Sequence, residues 1–193
     1  MTFRDTKRLV RADLERVNIF GKSSLLIYFR YLIFNSSFKF CFWFRWASYF
    51  QKKKCFFSPI YSICWLIHRH YRFKFGYDIP IGTQIGGGIY LMHFGGVIIN
   101  GGAVIGENST IYQGVTVGMA RLKGKNVPTI GNNCVLGAGS KVLGDITIGD
   151  YVMIGANAVV TKSVDSECVV AGNPARIINR NGRLYTREVI EHK

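Results

Sequence analysis

The amino-acid sequence predicts a mainly β protein: a parallel β-helix of about five coils preceded by an N-terminal α-helical module. Three observations carry this reading. Aliphatic residues return every six positions, most cleanly in the series Ile130, Leu136, Val142, Ile148, Ile154 and Val160. Twenty of the 22 glycines lie between Gly76 and Gly172. The composition also changes near Phe75-Gly76: residues 1–75 hold 21 of the 27 aromatics and 15 Lys/Arg against 3 Asp/Glu, whereas residues 76–193 hold 10 Lys/Arg against 8 Asp/Glu.

A spacing of six excludes an amphipathic helix, which repeats at 3.6, and is a multiple of the strand period of two. Side chains six apart therefore face the same side, and three such units close a triangular coil of ~18 residues. The aliphatic residue points into the prism and stacks on its equivalents above and below. A single coil cannot bury its inner face, so coils must stack and the end coils need covers.

Taken in order, residues 3–18 fit a short helix with Leu9, Val10, Leu14 and Val17 on one face. Apolar runs follow at 23–34, 38–50 and 55–67, with Lys52-Lys53-Lys54 between the last two and the basic, aromatic string HRHYRFKF at 68–75. None reaches the ~20 uninterrupted apolar residues of a spanning helix. Two readings of this module stay open. It is a cap whose aromatic and cationic surface lies on an anionic membrane face, or a cap whose aromatics form an ordinary core and whose lysines keep it soluble. His68 and His70 read as part of the basic seam. A net charge of +14 invites nucleic acid, but no motif for it is present.

The repeat then runs Ile79, Ile85, Leu91, Val97 and, after a slip of two, Ile99, Ile105, Ile111, Val117. A second break, Met119 to Pro128, reads as a loop carrying Arg121, Lys123 and Lys125. Such breaks are where function tends to be carried. His93, the one histidine of the repeat, stands just before the slip, and Asp78 stands fifteen residues earlier. At ~18 residues per coil Asp78 falls on the neighbouring coil, three residues short of stacking on His93. Spacing alone permits contact, and a lone histidine is commonly structural. Gln113 is the other polar candidate, with an outward strand position as its plain alternative. The string Val169 to Arg176 reads as the exit from the last coil, and Thr186 to Glu191 as a short helix capped by Thr186.

The five cysteines, an odd number, show no metal-site spacing and read as reduced thiols. The charged start MTFRDTKRLVRADLERVN lacks the apolar run of a signal peptide, so a cytoplasmic protein is expected, with peripheral contact at the membrane's cytoplasmic face as an addition. At 193 residues the chain suits one domain with an appendage, divided as 1–75, 76–176 and a tail at 177–193.

Several strings resemble the hexapeptide-repeat acyltransferases. They are Asp78 with His93, the Gln-x-Val-Thr-x-Gly of 113–118, the Ile-Gly-x-x-x-x-Leu-Gly-Ala-Gly of 130–139, and Ala-Gly-Asn-Pro-Ala at 171–175. The likeness covers about residues 76–176 and is strongest to the serine acetyltransferases and their relatives that O-acetylate sugars in capsule and exopolysaccharide synthesis. It implies a left-handed β-helix, a homotrimer, and acetyl-CoA lying in a groove between adjacent prisms, with no metal. By match, His93 is the general base and Asp78 orients it. Backbone N–H groups near Gly114 to Gly118 would steady the oxyanion. Tyr112 and Gln113 fall beside the acceptor. Gly118, Ala138 and Ala156 line the pantetheine slot, and Lys162 and Arg176 stand where cations meet the coenzyme's phosphates.

Two departures mark the sequence. Serine acetyltransferases carry an Arg-His-Pro string that supplies a cation for the amino acid's carboxylate; here the residues are Asn126-Val127-Pro128. Their long acidic helical domain is replaced by the basic aromatic module. Both favour a sugar hydroxyl, carried on a lipid-linked or other glycan, as acceptor in surface polysaccharide assembly. Serine O-acetylation is the alternative, and a non-catalytic trimeric scaffold or membrane-docking module the non-enzyme reading. A metal enzyme on this fold would need several histidines in the coils, where His93 stands alone.

Overall fold

The computed structural model describes residues 1–18, 21, 24–53, 58–120 and 127–191. Four helices open the chain: α1 (Phe3–Val17), α2 (Leu25–Phe34), α3 (Ser36–Lys52) and α4 (Pro59–Phe75). Local chemistry sets their ends. Thr2 and Asp5 form a capping box on α1, Ser24 and Asn35 accept from the first turns of α2 and α3, and Pro59 opens α4. Gly76 closes α4 in the left-handed region, at φ 65°, a conformation that costs glycine least. The 68–75 string is thus the second half of α4 rather than a separate seam.

Fourteen short strands then wind a left-handed parallel β-helix, and a fifteenth folds back on it. The first face stacks β1 (Tyr77–Asp78), β4 (Val97–Ile99), β7 (Thr116–Gly118), β10 (Lys141–Leu143) and β13 (Val159–Val160). The second stacks β2 (Gln84–Ile85), β5 (Val104–Ile105), β8 (Thr129–Ile130) and β11 (Thr147–Ile148). The third stacks β3 (Tyr90–Leu91), β6 (Thr110–Ile111), β9 (Val135–Leu136), β12 (Met153–Ile154) and β14 (Val169–Ala171). The hexad residues form three inner files, such as Leu91, Ile111, Leu136, Ile154 and Val170, all fully buried. Each contributes about 1.5–3 kcal/mol by leaving water, and the parallel ladder holds one above another.

The coils are not uniformly 18 residues long. Tyr77 pairs with Val97, Gln84 with Val104 and Tyr90 with Thr110, so the first two coils are offset by 20. Thr129 to Thr147 returns to 18. The slip of two is an expansion of the corner between β3 and β4. It is absorbed in β4, where Val97 and Ile99 both face inward and Ile98 faces out. The second break lies between β7 and β8; its residues Arg121, Lys123, Lys125 and Asn126 lie outside the described residues, as do Lys54 and Cys55. The described cysteines, 41, 64, 134 and 168, are free and buried.

Strand β14 ends at Ala171, and β15 (Arg176–Asn179) returns antiparallel to it. Helix α5 (Gly182–Glu191) follows. Thr186 does not cap this helix. It is buried mid-helix and its hydroxyl donates to the Arg183 carbonyl at 3.3 Å, because the helix begins four residues earlier than its sequence pattern indicates.

The helical module resolves into core and surface. Val10, Leu14, Val17, Tyr31 and Phe38 form one buried cluster, while Phe40 and Phe44 of α3 extend the β-helix core over the first coil. An ion pair that the sequence does not announce clamps this cap. Asp13 of α1 and Arg45 of α3 are both buried and bond at 2.9 Å. Asp13 also accepts from the backbone N–H of Gly88 and Ile89, and Arg45 donates to the carbonyls of Ile85 and Gly86. Burial pulls the Arg45 guanidinium down, but the Asp13 carboxylate and its hydrogen bonds hold it above its ordinary value. His68 is likewise no seam residue: it packs against Phe40 at 5.1 Å and Phe44 at 5.9 Å. Burial, and then Arg72, push it down to about 4.

Candidate active site

The corner between β3 and β4 is the irregular point of the prism, and His93 sits on it. Met92 and Tyr112 donate their backbone N–H groups to Ile111 and Leu136, and Gly114 donates to Gly95. These bonds tie the corner to the equivalent corners of the next coils. The two-residue expansion pushes His93 and Phe94 out of the prism, and both are exposed. Gly95 and Gly96 make the turn with φ of 112° and 66°, values an L side chain rarely adopts. The imidazole lies 6.3 Å from the Tyr112 ring, centroid to centroid, in a tilted arrangement. Gln113 follows Tyr112 on the same corner and is exposed.

Asp78 is not on the neighbouring coil. The offset of 20 places it at the start of the coil that His93 ends, outward on β1 and paired with Ile98. The corner 92–96 returns beside it: Gly95 donates to the Phe75 carbonyl at 2.8 Å, and a Cβ on Gly76 would stand 3.1 Å from Gly95 Cα. The Asp78 carboxylate accepts from Arg72 Nε at 2.8 Å and from Arg72 Nη2. Asp78 and His93 thus share one end of the prism, and the hydrogen bonds of Asp78 go to Arg72 in the last turn of α4. Arg72 escaped sequence reading because it looks like one more cation of a basic string; its six-residue separation from Asp78 across the Gly76 cap was the available signal.

The residues matched to a coenzyme slot lie along other parts of the surface. Ala138 and Ala156 follow Gly137 and Gly155 at stacked corners, and Asn157 donates to the Ala138 carbonyl at 2.8 Å. Gly137 is glycine for an internal reason: a Cβ there would stand 2.6 Å from the Ile154 oxygen and 2.8 Å from the Ala156 nitrogen. Gly118 is different. A Cβ there would meet nothing within 4 Å, so the protomer's own packing leaves open space beside it. Lys162 and Arg176 line one cleft of about 380 Å³ with Thr161, Ser163 and Ala175. Two cations there suit phosphate. Lys141, on the outer file between Thr116 and Val159, donates to the Gly114 carbonyl at 2.6 Å. It braces the segment Gly114 to Gly118 and had no sequence signal beyond its strand position.

A family described as bacterial transferase hexapeptide (six repeats) matches residues 128–162. The coils extend that match through the stacked hexads on both sides. The chain belongs to the hexapeptide-repeat acyltransferase fold. Among proteins of this fold, it is 48% identical over 108 residues to a serine acetyltransferase of Synechococcus elongatus, covering 55% of this chain and 44% of the relative. The chain spans about half the length of the curated relatives it matches. A crystal structure of serine acetyltransferase in complex with coenzyme A from Brucella abortus strain S19 matches with a TM-score of 0.76 and 28% identity, over 92% of this chain and 69% of that one. Soybean serine acetyltransferase complexed with serine matches with a TM-score of 0.74 and 30% identity, over 91% of this chain and 70% of that one.

These likenesses overturn the sugar acceptor expected from the sequence, since the relatives carry the name serine acetyltransferase. That expectation rested on two departures. One, the replaced Arg-His-Pro string, is a matter of three residues, Asn126-Val127-Pro128. The other was misread: an alignment over 92% of the chain must include most of residues 1–75, so the helical module aligns with those structures too. Helix placement follows from the buried side, which surface charge does not report.

Proposed function

We propose that this protein is an acetyl-CoA-dependent acyltransferase that moves an acetyl group to the hydroxyl of serine. The observation that carries the proposal is the likeness to serine acetyltransferases across both the helices and the coils. The exposed His93 at the expanded corner supports it, because a base must reach a soluble acceptor. Its neutral imidazole takes the proton of the serine hydroxyl as the oxygen attacks the thioester carbonyl. The C–S bond then breaks, the imidazolium returns the proton to the departing thiolate, and the products are O-acetylserine and CoA. Asp78, held by Arg72, is the carboxylate assigned to orient the imidazole. Tyr112 and Gln113 flank the acceptor. Arg72, the cation bonded to Asp78, supplies positive charge toward the acceptor's carboxylate from the described residues of this corner.

Gly118, Ala138 and Ala156 line the pantetheine arm, with Lys162 and Arg176 toward the phosphates, in a groove completed by the neighbouring prism of a homotrimer. The open space beside Gly118 favours this assignment. The test is CoA release from acetyl-CoA with L-serine, followed by thiol titration. Turnover is expected, and His93→Ala is expected to lower kcat by ~10² to 10⁴-fold. No turnover with L-serine in a folded trimer, or an unchanged kcat for His93→Ala, would overturn the proposal.

A further inference from the structure

The surface of the helical module differs from its core in a way that the acetyl-transfer reading does not use. Helix α2 turns Tyr31 inward and leaves Leu25, Leu26, Phe29, Ile33 and Phe34 exposed, with Leu26 at 83% and Phe34 at 82%. Leu25, Phe29 and Ile33 are spaced four apart and share one helix face. Helix α4 turns Cys64 and His68 inward and leaves Ile60, Ile63, Leu66 and Phe73 exposed. Scattered apolar side chains are normal at a surface, but two helical faces of them are not.

The two faces meet. Lys39 of α3 donates to the Ile33 carbonyl at the end of α2, and the same ammonium lies 5.5 Å over the Tyr71 ring of α4. The C-terminal end of α2 and the second half of α4 therefore adjoin on one side of α3.

Charge identifies the occupant. Between Glu15 and Asp78 the sequence holds no acidic residue and eleven Lys/Arg, of which Arg45 is buried against Asp13. Arg69 lies 5.5 Å over Trp65 and 5.6 Å over Phe73, so a cation rests directly on the exposed aromatics. Among the described residues no helix is long and apolar enough to cross a membrane. Two copies set face to face would oppose cation to cation, with no carboxylate on either side. A headgroup layer supplies the missing anions and an apolar depth of ~5–10 Å for the side chains. We propose that α2 and α4 lie flat on an anionic lipid surface, their leucines and aromatics inserted and their Lys and Arg among the headgroups.

The experiment is co-sedimentation of the full chain with vesicles of phosphatidylglycerol and phosphatidylcholine, and of phosphatidylcholine alone. Binding to the anionic vesicles at 0.1 M salt and its weakening at 1 M salt are expected, since the screening length falls from ~10 Å to ~3 Å. Lys74→Glu should lower the partition coefficient by at least about fivefold, the equivalent of the ~1 kcal/mol of one basic residue at such a surface. Leu26→Ser with Phe34→Ser should lower it by at least about tenfold; both side chains are exposed, so the circular dichroism and the thermal midpoint should not move. Quenching of tryptophan fluorescence by brominated lipid that is present in the wild type and lost in Trp65→Phe would support insertion of α4. Equal binding to neutral vesicles, no binding to anionic ones at 0.1 M salt, or a pair of trimers in solution that Leu26→Ser with Phe34→Ser separates, would overturn the proposal.

Discussion

Two glycines beside the proposed donor groove separate packing from binding. Gly118 matches a glycine of a coenzyme slot and Gly137 only precedes a matched residue, Ala138; a Cβ on Gly137 would stand 2.6 Å from the Ile154 oxygen and one on Gly118 would meet nothing within 4 Å. Gly137→Ala must displace backbone of the next coil, and overpacking of this kind costs about 1–3 kcal/mol. Gly118→Ala carries no such penalty. Its φ lies outside the left-handed region, so the substitution is expected to be neutral or to stabilise by about 0.4–1 kcal/mol through the unfolded chain. If the open space beside Gly118 receives the pantetheine arm, the added methyl overpacks the complex instead of the protomer. The same 1–3 kcal/mol then appears as a rise of about 5- to 160-fold in the KM for acetyl-CoA. Urea unfolding and steady-state kinetics on the two variants measure both quantities. A Gly118→Ala protein that is destabilised like Gly137→Ala, or one whose KM for acetyl-CoA does not change, would refute the assignment of that space to the donor.

Three further outcomes follow from the cap. Asp13→Ala leaves Arg45 buried without its carboxylate and should destabilise the protein by about 3–5 kcal/mol in urea unfolding, whereas Asp13→Leu with Arg45→Met should recover much of the loss. His68 titrates at about 4 in the folded chain against ~6.5 when unfolded. The unfolded state therefore binds the extra proton between these values, so stability is full above pH ~6.5 and declines by roughly 3 kcal/mol as the pH falls to ~4; His68→Leu should flatten that slope in pH-dependent melts. Arg72→Met frees the Asp78 carboxylate and should lower kcat in the serine assay while leaving the KM for acetyl-CoA unchanged, because the ion pair stands at the His93 end of the prism and away from the Lys162–Arg176 cleft.

The contrast between the coils and the cap shows what could be read in advance. Leu136, Ile154 and Ile111 could be assigned to one inner file from spacing alone, because the side a strand residue faces is a local property with a period of two. The capping residues Thr2, Asn35, Pro59 and Gly76 are local in the same sense. The place of His93 at the irregular corner was legible because a slip in a strict repeat announces itself. The relation of Asp78 to His93 was not: fifteen residues is less than one coil, so the two share a coil, and how the 92–96 corner returns beside β1 depends on its two added residues. The acceptor was misjudged where absence of a loop string was weighed above the likeness of the coils that carry it.

The sequence by itself therefore determined the β-helix, its inner files, the place of the irregular corner and the division of charge, all of which are written in residue type and spacing. Only the tertiary structure decided that Arg72 holds Asp78, that Asp13 and Arg45 clamp the cap, that His68 is buried among phenylalanines, and that α2 and α4 leave apolar faces uncovered. Each of these is set by the packing of helices on one another and on the first coil. The pattern within a segment says that it has an apolar side; which side finds a neighbour depends on the elements packed against it.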